Sequence, residues 1–278
     1  MTGLSRKEAS GSGMITSIGT KRIVGQSLKN YFEWRIYNNL PLEQQDNRVQ
    51  LVAYLGERAE YVRQATLNQN RNSLMIAYGI KLPLLRAELG TVLSRRSYTH
   101  AEVESVIQHQ THKNSLATLI SLYAGLRAHE LATLRRLDEL PPSPHREWDA
   151  RLFAGLEGVA FFVVVGKGGL RRRVAVPLNL VNLLEARRLS QPQRVTDRGI
   201  FYQRYYDVGF GQAFSQSFSA ASKKAMGFSR GAHGLRHSYT KNRTRTLRSL
   251  GFSQIAAQRI VSQELGHFRP DITLAYYR

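Results

Sequence analysis

The chain has 278 residues, 42% of them hydrophobic, and its 40 Lys and Arg against 20 Asp and Glu leave a formal net charge of +20. This length and composition support two domains with packed cores, and the positive field favours a polyanion such as nucleic acid as partner. The absence of cysteine excludes disulfides and thiolate metal sites, and the longest apolar run, Val159–Val165, is far shorter than the about 20 residues of a membrane-spanning helix.

The first third of the chain is predicted to be a tail followed by a small helical domain. Residues 1–20 are rich in Gly, Ser and Thr, which is typical of a flexible tail, and no apolar stretch follows Arg6 and Lys7 as a signal peptide would require. Residues 21–93 show the three- and four-residue apolar spacing of helices. The first helix is predicted to bury Val24, Leu28, Tyr31, Phe32 and Ile36, and three more are predicted around Val49–Leu55, Tyr61–Ala77 and Leu82–Leu89.

A second, larger domain is predicted over residues 94–278, and the basic stretch 93–98 at its start is the candidate linker. Thr99 and Glu102 form a capping-box pattern that opens a helix. Two further helices are expected, one through Leu116, Leu119, Ile120 and Tyr123 and the other through Glu130, Leu131 and Leu134.

A proline-rich loop at 141–144 precedes a predicted β-hairpin. Its strands are Val159–Val165 and Arg171–Pro177, joined by a turn at 166–169, with Val174 and Val176 on one face. Helical spacing then resumes to the C-terminus. The fold class expected is mainly α with one small β-sheet, α+β.

Five short motifs carry the candidate chemistry. In chain order they are Gly125-Leu126-Arg127 with Glu130-Leu131, Lys167 in the hairpin turn, His233-Gly234-Leu235-Arg236-His237, Leu265-Gly266-His267, and Tyr276 nine residues after His267. In this order and spacing they resemble the tyrosine recombinase (phage integrase) family, over roughly residues 97–278. The N-terminal helices resemble the family's core-binding domain only in size and helical character.

The resemblance implies a catalytic set of Arg127, Lys167, His233, Arg236, His267 and Tyr276. Arg127 and Arg236 would bind the phosphate, since the guanidinium fork grips phosphate oxygens and keeps its proton, and His267 would add a further donor. Tyr276 would attack and form a 3′-phosphotyrosyl bond. Lys167 would protonate the departing 5′-oxygen, and His233 would assist as base or orienting group.

Other residues near these motifs are predicted to have supporting roles. Glu130, three residues after Arg127, is expected to share its helix face and to orient partners without acting chemically. His129 and His237 are expected to pack or to contact the DNA backbone.

The implied function is site-specific recombination or integration of DNA with no metal, ATP or other cofactor. The expected partners are double-stranded DNA with specific recombination sites, three further copies of the chain in a tetramer on synapsed DNA, and accessory DNA-bending proteins. No membrane partner is expected, and the predicted location is the cytoplasm, on the bacterial nucleoid when DNA is bound.

Three alternatives remain open on the sequence. A type IB topoisomerase-like enzyme would use the same chemistry to relax DNA, and a non-catalytic DNA-binding protein could keep the same fold. A metal-dependent DDE transposase or nuclease would need clustered carboxylates, which the basic C-terminal region lacks.

Two features depart from the family pattern. The stretch between Arg127 and Lys167 is longer than usual. The sequence also ends two residues after Tyr276, where many members carry a helix that docks on a neighbouring subunit, so we expect subunits to interlock differently or the chain to be shortened.

Overall fold

The computed structural model describes residues 17–40, 47–90 and 96–268, and at Lys167 it describes the backbone alone. The chain divides into two compact units, residues 1–93 and 94–278. Tyr276 and the last residues of the helical stretch predicted after the hairpin lie outside the described residues.

The described residues of the N-terminal unit form three helices. They are α1 (Ile18–Tyr37), α2 (Arg48–Tyr61) and α3 (Gln64–Tyr78). Ser17 caps α1, so the helix begins three residues before the predicted start of the helical segment, and a capping box of Asn47 and Gln50 opens α2. The core of the unit contains Tyr31, Leu51, Tyr54, Leu55, Leu67, Leu74 and Leu82.

Two predictions for this unit are wrong. Phe32 and Ile36 are exposed, because the buried face of α1 is the one that carries Val24 and Tyr31. The segment Leu82–Leu89 is not helical. The backbone groups of this segment bond to groups outside it and not to one another. Arg71 donates to the Leu82 and Pro83 carbonyls, and the Ala87 N–H donates to the Gln64 side chain.

The C-terminal unit contains six α-helices within its described part. They are α4 (His100–Ile107), α5 (His112–Ala124), α6 (Leu178–Glu185), α7 (Gly211–Met226), α8 (His233–Ser249) and α9 (Gln254–Glu264). The predicted capping box of Thr99 and Glu102 is confirmed at the start of α4. The last residues of the predicted linker belong to this unit, since Ser97 and Tyr98 are buried and the Tyr98 ring packs on Phe218.

The predicted hairpin is confirmed as part of a three-stranded antiparallel sheet. Strands β1 (Arg135–Arg136), β2 (Val159–Val165) and β3 (Arg171–Pro177) lie in that order, and Val165 pairs with Arg171 at the turn. Gly168 and Gly169 have φ of 75° and 78°, a conformation that side chains other than glycine rarely adopt. With its many helices, the chain has the mainly α, α+β fold expected.

A second sheet contradicts the prediction that residues after β3 are helical throughout. Strands β4 (Arg188–Asp197) and β5 (Ile200–Tyr206) form an antiparallel hairpin. Its two-residue turn, Arg198-Gly199, has positive φ at both positions, the geometry that matches the twist of paired strands.

The segment after α5 also differs from the predicted third helix. Gly125, with φ of 63°, ends α5 in the left-handed conformation, and only Glu130–Thr133 forms a short 3₁₀ turn before β1 begins. Tyr123, one of the residues that predicted α5, is exposed. Arg127 and Glu130 therefore face each other across a tight turn and do not share a helix face.

The long stretch between Arg127 and Lys167 is fixed to α9. The Gln263 side chain accepts a hydrogen bond from the Asp149 backbone at 2.8 Å, and the Glu264 carboxylate accepts one from the Phe153 backbone at 2.9 Å. This stretch therefore packs against the helix that precedes His267. Among the described residues, no helix is both long enough and apolar enough to cross a membrane.

Candidate active site

Arg127, Arg236 and His267 come together at one point of the C-terminal unit. The Nη2 atom of Arg127 lies 3.1 Å from His267 Nε2, and the Nη2 atom of Arg236 lies 3.3 Å from the same nitrogen. The three residues come from the turn after α5, from α8, and from the segment after α9. Because a guanidinium can only donate, His267 Nε2 accepts here, which places the ring proton on Nδ1.

Arg236 is fully buried, with no exposed surface. Its Nη1 donates to the Gly125 carbonyl and its Nη2 to the Leu265 carbonyl. Gly125 can lie this close because it has no side chain: a Cβ there would meet Tyr239 Cδ1 at 2.6 Å. The backbone on both sides of the site thus fixes the direction of the Arg236 guanidinium.

Glu130 is the carboxylate of the site and is also fully buried. It accepts from the Arg127 backbone N–H and from Arg127 Nη1, both at 2.8 Å, and from Arg172 Nη2 at 2.7 Å. Burial alone would raise the pKa of Glu130, but the charges of Arg172, Arg236 and Arg127 outweigh it and hold that pKa far below its usual range. Glu130 is therefore ionised and orients Arg127, as expected, through a turn.

Arg172 is a member of this cluster that sequence reasoning missed. Its side chain is 1% exposed and points from β3 into the interior. The alternation of side chains along a strand could have revealed it. Arg172 lies on the same face of β3 as Val174 and Val176, the two residues that were predicted to share a face.

The two histidines of the motifs have pKa values below that of a free side chain. For His267, burial and the charges of Arg236 and Arg127 lower the pKa to about 4. For His233, at the start of α8, the loss of surrounding water and the charge of Arg236 lower the pKa to about 4, although part of its surface remains accessible. Both rings are therefore neutral at pH 7 in the DNA-free protein.

The hairpin turn that carries Lys167 lies beside the cluster. A Cβ on Gly166 would meet Glu130 Oε1 at 3.2 Å and Arg127 Nη1 at 3.9 Å, so this residue of the turn lies directly against the two side chains. The backbone of Lys167 follows directly. The role of Lys167 and that of Tyr276, which lies outside the described residues, both stay predictions.

The remaining histidines lie at the edge of the cluster. The His237 ring is buried and contacts the His233 ring at 5.6 Å between centroids. His129 packs near Tyr202 of β5, with ring centroids 6.4 Å apart.

Charge is unbalanced within the cluster. Arg127, Arg172 and Arg236 carry three positive charges, Glu130 carries one negative charge, and the histidines are neutral. Burying uncompensated charge is costly, so such a site favours an anion. The Nη2 atoms of Arg127 and Arg236 converge on His267 Nε2. Guanidinium donors grouped in this way match the oxygens of a phosphate.

Comparison with solved structures identifies the fold. The chain is similar to the XerH site-specific recombinase bound to palindromic difH substrate in a post-cleavage complex, with 16% identity and a TM-score of 0.57 over 93% of this chain and 75% of that one. It is similar to a lambda integrase dimer bound to a COC′ core site, with 17% identity and a TM-score of 0.54 over 98% of this chain and 74% of that one. No family model and no curated protein matches the sequence. The chain therefore has the tyrosine recombinase fold, which confirms the predicted resemblance at the level of structure.

Proposed function

We propose that this protein is a site-specific DNA recombinase that cleaves and rejoins strands through a 3′-phosphotyrosyl intermediate. The observation that carries the proposal is the convergence of the Arg127 and Arg236 Nη2 atoms beside His267, in a buried cluster with excess positive charge. This cluster suits the scissile phosphodiester, whose non-bridging oxygens gain charge as a nucleophile attacks. Donors that are already fixed in place stabilise that charge without having to reorganise.

The remaining steps follow from the chemistry of the chain's own residues. The Tyr276 hydroxyl attacks phosphorus, the bond to the 5′-oxygen breaks, and Lys167 supplies the proton that this oxygen takes up. Nearby cations favour the phenolate of Tyr276, whose pKa would otherwise be about 10, and His233 orients or accepts its proton. The phosphotyrosine conserves the bond energy, so a 5′-hydroxyl can reverse the reaction without ATP.

The proposed partner is double-stranded DNA with specific recombination sites. The net charge of +20 supports binding to a polyanion, and the solved XerH and lambda integrase structures with this fold are bound to DNA substrates. Strand exchange between two duplexes requires four active sites, so we expect a homotetramer on synapsed DNA, with accessory DNA-bending proteins and a location on the nucleoid.

The test is covalent trapping on a nicked suicide substrate, in EDTA. DNA fragments recovered from trapped wild-type protein first identify the site. Tyr276→Phe should then form no adduct while it keeps DNA affinity, and the matched control Tyr277→Phe should form the adduct. The opposite pattern would move the nucleophile by one residue, and strict dependence on Mg²⁺ or Mn²⁺ would refute the proposal.

A second assay separates recombination from relaxation. Wild-type protein should join strands from two site-bearing duplexes and should not relax a supercoiled plasmid that lacks the site. Rapid relaxation of the siteless plasmid, with no joining of duplexes, would favour the topoisomerase-like alternative.

A further inference from the structure

We propose that Arg172 is a positioning residue for the phosphate site. It compensates the charge of Glu130 and so keeps the Arg236 guanidinium on the Gly125 and Leu265 carbonyls, beside His267. The inference rests on the proposed function, because it concerns how the phosphate-binding arginines are kept in place.

Arg172 links three parts of the site through one buried guanidinium. Its Nη2 donates to Glu130 Oε2 at 2.7 Å, and its Nη1 donates to the Glu264 carbonyl at 2.7 Å. A weaker contact of 3.4 Å joins Nη2 to the Gly125 carbonyl. The carbon chain also packs against the segment that leads to His267, since a Cβ on Gly266 would meet Arg172 Cδ at 3.0 Å.

Arg172 and Arg236 hold the same two backbone segments but differ in their distance from Glu130. Both donate to Gly125, and they donate to the consecutive carbonyls of Glu264 and Leu265. Only Arg172 makes a hydrogen bond to Glu130, whereas Arg236 Nη1 lies 3.8 Å from the same oxygen and Arg236 Nη2 faces His267.

Without Arg172, Glu130 would lose its shortest hydrogen bond, the one of 2.7 Å from a fully buried guanidinium. Its Oε2 atom would then draw in the next cation, and Arg236 Nη1 needs to move by only about 1 Å to reach hydrogen-bonding distance. A displacement of about 1 Å in a catalytic constellation costs on the order of 10²-fold in rate. Arg172 therefore acts on the reaction through Glu130 and Arg236, without touching substrate.

The experiment compares Arg172→Met with Arg173→Met in single-turnover cleavage of the suicide substrate. Arg173 is the neighbouring residue on β3 and faces the opposite side, over the Phe153 and Phe161 rings. Arg172→Met should slow cleavage by about 10–100-fold, with DNA affinity within about twofold of wild type. Arg173→Met should cleave at close to the wild-type rate.

A double-mutant cycle separates positioning from simple loss of structure. Glu130→Gln removes the charge that would divert Arg236, so the loss in Arg172→Met/Glu130→Gln should be smaller than the product of the two single losses. Arg172→Lys keeps the charge but loses the guanidinium fork, so its cleavage rate should lie between those of wild type and Arg172→Met. This variant replaces Arg172→Met in the comparison if the Met variant does not fold.

The substrate gives a second readout. A methylphosphonate at the scissile position lacks one charged oxygen, so it should reduce the deficit of Arg172→Met relative to wild type, whereas a misfolded site would show the same deficit on both substrates. Any of three results would overturn the inference. They are cleavage by Arg172→Met at the wild-type rate, losses in the double mutant that equal the product of the single losses, and an unchanged deficit of Arg172→Met on the methylphosphonate substrate. Failure of the wild-type protein to form an adduct would instead refute the proposed function.

Discussion

Replacing Glu264 by glutamine should destabilise the C-terminal unit and disturb the candidate site at the same time. The Glu264 side chain is buried at the end of α9 and accepts four hydrogen bonds. They come from the Tyr239 hydroxyl at 2.8 Å, Arg243 Nε at 2.9 Å, Arg243 Nη2 at 2.7 Å and the Phe153 backbone at 2.9 Å. Every one of these partners donates, so the amide group of glutamine would direct its own N–H donors at another donor.

The expected loss follows from the burial of Arg243. This residue is nearly as buried as Glu264, and its other hydrogen bonds go to the Ala154 carbonyl, which carries no net charge. Removing one partner of such a pair leaves a buried charge uncompensated, which costs about 3–5 kcal/mol of unfolding free energy. The Glu264 and Leu265 carbonyls also hold Arg172 and Arg236, so DNA cleavage should slow as well.

The assay is urea unfolding of the full chain, followed by tryptophan fluorescence in a Trp34→Phe background. The sequence has two tryptophans, and the remaining one, Trp148, packs beside α9 through the loop that Gln263 holds. Glu104→Gln, at an exposed position of α4, is the matched control and should change stability by less than about 0.5 kcal/mol. If Glu264→Gln unfolds with the same free energy as the control, the assignment of this cluster as a structural support of the site is wrong.

Three further predictions concern pH, proton transfer and salt. Because the pKa of His267 is lowered to about 4, from the 6.5 of a free side chain, the unfolded chain binds its proton first. The free energy of unfolding should therefore fall as pH drops from about 6.5 to about 4. Urea titrations of His267→Asn should show a smaller fall than those of the wild type, and an equal fall would contradict the lowered pKa of His267. Lys167→Ala should slow cleavage by about 10²–10⁴, and a substrate with a 5′-thiol leaving group should recover much of the loss; without recovery, the lysine is not the general acid. DNA affinity should weaken steeply with salt: the logarithm of the binding constant should fall against the logarithm of salt concentration with a slope of about 0.9 per phosphate contact on duplex DNA. A nearly flat salt titration would rule out the polyanion partner.

Local patterns in the sequence determined the features that depend on neighbouring residues. A β-branched and aromatic run followed by a glycine turn predicted the β2–β3 hairpin, and the Thr99–Glu102 spacing predicted the start of α4. The motif order selected Arg127, Arg236 and His267 by residue type and spacing. Apolar periodicity failed at Leu82–Leu89, where hydrogen bonds with the Arg71 and Gln64 side chains take up the backbone groups that a helix would pair. It also missed the largely solvent-exposed strands β4 and β5, in which neither face is consistently apolar.

Only the tertiary structure decided which charges meet. Arg127 and His267 are separated by 140 positions, and their contact depends on α5, α8 and α9 packing around Gly125. Spacing could suggest that Glu130 orients Arg127, but it could not show that a third arginine from β3 neutralises the same carboxylate. The physical reason is that a buried charge is compensated by whichever opposite charge the fold brings near, and that partner need not be close in the chain.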